Sequence, residues 1–125
     1  MRNLLLIAED DDTLRASLEA NLERKLRDLV TTIITAASRD EAISALEQSG
    51  DVIACVLTDL RLPKFGDGEA IAKAALDRGS KVIVLSGTTG DLSAEVREQC
   101  LSVFTKDDAS LDEIATLIKT TLHSK

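Results

Sequence analysis

"VIACVL", Val52 to Leu57, is apolar at every position. A strand with one face in water alternates apolar and polar residues, so an unbroken run of this length fits a strand covered on both faces, as in a parallel sheet clad by helices. Working outward, Leu4–Ala8 ("LLLIA"), Val30–Ala36 ("VTTIITA"), Val82–Leu85 ("VIVL") and Val103–Thr105 ("VFT") are similar short runs rich in β-branched or aliphatic residues. Between them the period changes. Leu14, Leu18, Leu22 and Leu26 recur at spacing four; Ala42, Ile43 and Leu46, then Ala70, Ile71, Ala74 and Ala75, then Leu92 to Cys100, then Leu111, Ile114, Leu117 and Ile118 follow helical spacing. The parse is a strand–helix unit repeated five times, an α/β chain with a doubly wound parallel sheet.

Local signals agree with these boundaries. "SRDE" (Ser38–Glu41) and "SLDE" (Ser110–Glu113) read as capping boxes at helix starts, and Gly50 and Gly79 stand where a helix is expected to end on glycine.

At 125 residues the chain is expected to form one domain, residues 1–125, around one core. The longest apolar run, Leu4–Ala8, is too short to span a bilayer, and Met1-Arg2-Asn3 followed by five apolar residues is not a secretory signal, so a cytoplasmic location is expected. Cys55 and Cys100 have no metal or redox spacing and read as reduced packing residues. A net charge of −7 with scattered basic residues, and only Phe65 and Phe104 as aromatics, argues against direct nucleic-acid contact.

In open sheets of this kind ligands sit beyond the carboxyl ends of the strands, near the point where strand order reverses. The residues found there are Glu9 and Asp10 after the first strand, Asp59 after the third, Ser86 after the fourth and Lys106 after the fifth. Three carboxylates at one sheet edge raise one another's pKa and suit a hard cation, and Mg²⁺ in particular prefers a few carboxylates plus water and phosphate oxygens. A hydroxyl and an ammonium beside them fit a metal-assisted phosphoryl reaction. The acidic run Glu9–Asp12 also has a plain reading, since Asp is favoured at a helix start; Asp11 and Asp12 are expected to begin the first helix while Glu9 and Asp10 face the site. His123, the one histidine, is not expected to act as a phosphodonor or ligand.

Together "LLIAEDDDTLR", "VLTDLRLPKFGDG", "VIVLSG" and "FTK" resemble the receiver domain of two-component response regulators, over about Leu4 to Leu122. The resemblance implies a flavodoxin-like five-stranded sheet in the order 2-1-3-4-5. It implies phosphorylation of Asp59 by a sensor histidine kinase or phosphotransfer protein, and an output domain or effector that reads the result. Asp10 and Asp59 would bind Mg²⁺ directly, Glu9 through water, and Arg61 through its backbone carbonyl; Ser86 and Lys106 would each engage a phosphoryl oxygen. Such a domain is not a free-standing enzyme, although it catalyses its own phosphorylation and dephosphorylation.

The chain departs from that pattern at four places, one of them Arg61, whose long cationic side chain is expected to reach over the phosphoryl group and alter its dephosphorylation. Asp107 follows the lysine where the family usually has proline, so the cis peptide that shapes the loop is not expected. Val103 stands where many members carry a Tyr or Phe that reorients on activation, and Phe104 is expected on the opposite strand face. The "PKFGDG" loop is one residue longer than the common form. Asp107 and Val103 keep open a degenerate receiver that acts only as a protein-interaction module. A haloacid-dehalogenase-like phosphatase is a more distant alternative, because its D-x-D motif would place Glu9 at the nucleophile.

Overall fold

The computed structural model describes residues 3–28, 32–49, 51–60, 66–87, 92–106 and 110–123; for Ser86 and His123 it describes the backbone alone. Five strands, β1 (Leu4–Ala8), β2 (Thr32–Ala36), β3 (Ile53–Thr58), β4 (Lys81–Ser86) and β5 (Ser102–Thr105), alternate with α1 (Asp12–Lys25), α2 (Arg39–Ser49), α3 (Asp67–Asp77), α4 (Ala94–Gln99) and α5 (Leu111–His123). The strands form one parallel sheet in the order β2-β1-β3-β4-β5. This is the flavodoxin-like architecture expected from the alternating pattern.

All six residues of β3 are buried, which is the physical content of the run "IACVL"; Val52, the first residue of "VIACVL", lies outside the strand and is exposed. Ile53 and Val56 go to one core, Cys55 and Leu57 to another. Leu5, Ile7, Cys55, Leu57, Ile83 and Leu85 meet Leu18, Leu22 and Leu26 of the first helical segment and Ile114, Ala115 and Ile118 of α5. Leu6, Ala8, Val56, Val82 and Val84 meet Ala42 and Leu46 of α2, Ile71, Ala72 and Ala75 of α3, and Val96 of α4. Each large aliphatic side chain sealed in this way contributes roughly 1.5–3 kcal/mol relative to exposure. One irregularity shifts the alternation: between Leu4 and Leu5 the partner on β3 moves from Ile53 to Cys55, so Ala54 is an extra residue and Ile53 and Cys55 belong to opposite cores. Phe104 packs with the α1/α5 core and Val103 with the α2–α4 core, on opposite faces as expected.

Several boundaries differ by a residue or two from the sequence pattern. β3 starts at Ile53 because Val52 is half exposed and turns its carbonyl back to accept from the Asn3 and Leu4 N–H groups. α4 is shorter than Leu92–Cys100, since Ser93 caps it, its Oγ accepting from the Val96 N–H at 3.3 Å, and Leu92 precedes the cap. Ser38 accepts from the Glu41 N–H at 3.3 Å as a capping box requires, but the Glu41 carboxylate returns to the Ala37 N–H, one residue further back. Ser110 likewise accepts from the Glu113 N–H. α3 ends on Gly79 at φ +85°, with Gly79 N–H bonded to Leu76 and Ser80 N–H to Ala75, the bond pair of a Schellman ending. Gly50 lies outside the described residues.

Among the described residues no helix is long and apolar enough to cross a membrane.

Candidate functional site

Strand order reverses around β1, which has β2 on one side and β3 on the other, so the carboxyl ends of β1 and β3 open onto a shared crevice. The backbone there is tied down. The Glu9 N–H donates to the Ala36 carbonyl at 3.0 Å, and the Asp59 N–H to the Ala8 carbonyl at 3.1 Å. Glu9 and Asp59 therefore leave the sheet side by side, 2% and 7% exposed, while Asp10 is exposed. Ligand oxygens of Glu9, Asp10 and Asp59 all lie within 4.8 Å of one another.

Lys106, at the end of β5, reaches into this group. Its Nζ lies 2.9 Å from Asp59 Oδ2 and 3.1 Å from Glu9 Oε1, with its side chain 31% exposed. The other oxygens are held by backbone: the Leu60 N–H donates to Asp59 Oδ1 at 2.7 Å and the Asp11 N–H to Glu9 Oε2 at 3.1 Å. Burial pushes the Glu9 carboxyl above the usual carboxylate range; the Asp11 N–H works against that shift, the nearby Asp59 charge adds to it, and Lys106 offsets part of it. Burial by itself would lower the Lys106 pKa, but hydrogen bonds and charge from Asp59 and Glu9 outweigh it and hold the ammonium above its ordinary value.

Three carboxylates and one ammonium leave a formal charge of two negative units. Oxygen donors alone, buried on two of three members and under-compensated by that amount, fit a hard divalent cation and do not fit a soft one. The structure thus brings together Glu9, Asp10, Asp59 and Lys106. Ser86 ends β4 with its backbone beside Thr105, at the same sheet edge; its hydroxyl, the Arg61 carbonyl, Asp107 and the first half of the "PKFGDG" loop, residues 63–65, lie outside the described residues.

Two residues of the site carry no signal in the apolar periodicity. Arg15, one turn into α1, donates from Nη1 to the Glu9 carbonyl at 2.9 Å and from Nη2 to Asp12 Oδ1 at 2.5 Å. Gly68, in the first turn of α3, lies against the Asp59–Leu60 backbone, its N–H bonded to the Leu60 carbonyl at 3.0 Å.

The fold is that of response regulator receiver domains. A receiver domain protein from Clostridium thermocellum superposes with a TM-score of 0.78 at 21% identity, covering 96% of this chain and 94% of that one. A receiver domain described as CheY-like from Methylobacillus flagellatus gives 0.75 at 21% identity, over 97% and 99%. The receiver domain of the hybrid histidine kinase CckA gives 0.72 at 22% identity, over 97% and 100%. No protein-family model matches the sequence, and no curated protein does.

Proposed function

We propose that this chain is a phosphoacceptor receiver domain in which Asp59 takes a phosphoryl group from a phosphohistidine of a sensor kinase or phosphotransfer protein. The observation that carries this reading is the setting of Asp59. A carboxylate at the end of the central strand β3 is 7% exposed, fixed at one oxygen by a backbone N–H and at the other by Lys106, and lies within 4.8 Å of two further acids.

In the transfer, an Asp59 oxygen attacks phosphorus as the phosphorus–nitrogen bond of the donor breaks, and the electron pair goes to the imidazole nitrogen. Negative charge builds on the three equatorial oxygens. Mg²⁺, when bound, supplies positive charge against those oxygens; Asp10 and Asp59 would hold it directly, Glu9 through water and Arg61 by its carbonyl. Lys106 offsets charge on another oxygen by exchanging its Asp59 contact for the phosphoryl group, and Ser86 would donate a hydroxyl to a third. The Leu60 N–H keeps the Asp59 carboxylate from rotating, so the nucleophile is oriented before the donor arrives. The domain would serve as a switch in the cytoplasm, its product read by an output domain or effector.

Incubation with acetyl phosphate and Mg²⁺, followed by intact mass, tests the reading. A single phosphoryl adduct that disappears in Asp59→Asn and on chelation of the metal is expected. No adduct in the parent chain leaves the degenerate interaction module in its place.

A further inference from the structure

We infer that Arg15 is a positioning residue for the metal pocket, fixing the Glu9–Asp10 peptide so that the two carboxylates keep the spacing a divalent cation requires. The inference deepens the proposed function and rests on its metal-binding role.

Each polar group of Glu9 has its own restraint. Its N–H is held by the Ala36 carbonyl, its carboxylate by the Asp11 N–H and Lys106, and its carbonyl by Arg15 Nη1 at 2.9 Å. That carbonyl belongs to the peptide linking Glu9 to Asp10. Rotation of this peptide would swing the exposed Asp10 carboxylate relative to the buried Glu9 and Asp59; the Arg15 bond opposes it at the carbonyl itself, beside the Asp11 N–H bond to Glu9 Oε2 that spans the same peptide.

The guanidinium suits the task because its two Nη atoms diverge in one rigid plane. One reaches back to the end of β1 while the other holds Asp12 at 2.5 Å, at the start of the same helix. Lysine has a single nitrogen and cannot reproduce that fork. The Arg15–Asp12 ion pair is itself weak support, as Asp12 is 86% exposed and water screens it; Asp12 aims the guanidinium, and the carbonyl bond does the positioning. Arg15 brings this restraint without placing a cation on the metal-facing oxygens, where it would compete with the ion.

Mg²⁺ titrations followed by the amide resonances of Glu9–Asp11 and Leu60 test this in the parent, Arg15→Gln, Arg15→Lys and Asp12→Asn. Loss of an outer partner that orients metal ligands weakens affinity about tenfold or more, and that is expected for both Arg15 variants. Asp12→Asn, which leaves the carbonyl bond in place, is expected to shift affinity by less than about threefold. Acetyl phosphate kinetics should show the Mg²⁺ midpoint moving while the rate at saturating metal stays within about twofold of the parent. An unchanged Mg²⁺ affinity in folded Arg15→Gln overturns the inference, as does full rescue by Arg15→Lys; if Arg15→Gln does not fold, Arg15→Lys decides alone. A parent that gains no phosphoryl group yet shows the Arg15-dependent affinity removes the proposed function and leaves this inference standing. A phosphorylated parent with affinity indifferent to Arg15 does the reverse.

Discussion

A methyl group placed on Gly68 would lie 1.9 Å from the carbonyl oxygen of Asp59 and 2.4 Å from the Cα of Leu60. The first turn of α3 is thus seated directly on the backbone of the candidate phosphoacceptor, and the glycine is required there by space. Gly66, two residues earlier, is the opposite case: a Cβ there meets nothing within 4 Å, but φ is +86°.

Gly68→Ala must therefore push α3 away from the β3 end. A loss of about 1–3 kcal/mol is expected from the overpacking, read by urea denaturation. Displacement of a nucleophile by even a fraction of an ångström slows a positioned reaction, so phosphorylation by acetyl phosphate should fall by about tenfold or more. Gly66→Ala should cost only the left-handed strain, roughly 1 kcal/mol, and leave the rate nearer the parent. Equal effects of the two substitutions would contradict this division.

Glu9 gives a pH dependence of stability with a definite sign. Its folded pKa is raised by burial and by Asp59, so between the unfolded and folded values the native state binds the extra proton. Stability from this group is intact below the ordinary carboxylate pKa and falls as pH rises through the folded pKa. At pH 7, without metal, Glu9→Gln should melt at a higher temperature than the parent, and the difference should shrink toward pH 4. Mg²⁺ should raise the parent's melting temperature and act less on the variant. A variant less stable than the parent at pH 7 would show that the Lys106 contact outweighs the burial cost.

Most of the fold was legible because its signals are local. A buried parallel strand needs an apolar run and a surface helix needs an apolar stripe, and both are written in consecutive residues. The positions of Glu9, Asp10, Asp59 and Lys106 followed from placing strand ends at one edge of one sheet. What escaped depends on contacts between segments: the extra residue Ala54 in β3, the Arg15 fork onto Glu9, the Glu69 carboxylate that accepts from the Ser93 N–H at 2.8 Å to tie α3 to the α4 cap, and the Gly68 seat on Asp59. None of these has a period or a composition that a sequence pattern can register.

Cys55 adds an alkaline limit to stability. It is fully buried in the α1/α5 core, and burial pushes its thiol up to about 12 from an ordinary 9.0. Above pH 9 the unfolded chain releases this proton while the folded chain retains it, so stability from this group declines as pH rises toward 12. By pH 10.5 the cost is about 2 kcal/mol, which Cys55→Ala would not show beyond its own constant packing loss. In the native state iodoacetamide should label the half-buried Cys100 well before Cys55, and Cys55 should react only at the rate of unfolding. Rapid native labelling of Cys55 would disprove the seal.

Lys106 joins the acidic pocket to an adjoining cavity of about 150 Å³ that its side chain lines together with Leu14, Leu18, Leu85, Leu111 and Ile114. Lys106→Met keeps an apolar stem for that cavity and removes the ammonium. Asp59 and Glu9 then face each other without their cation, which should destabilise the metal-free protein by about 1–2 kcal/mol, below the cost for a fully buried pair because Lys106 is 31% exposed. A divalent ion no longer competes with the ammonium for Asp59 Oδ2, so Mg²⁺ affinity should increase even as phosphoryl transfer at saturating Mg²⁺ falls. Calorimetric Mg²⁺ titration beside acetyl phosphate kinetics separates the two effects. Parallel losses of metal affinity and rate would mean that Lys106 supports the shape of the pocket and not its charge.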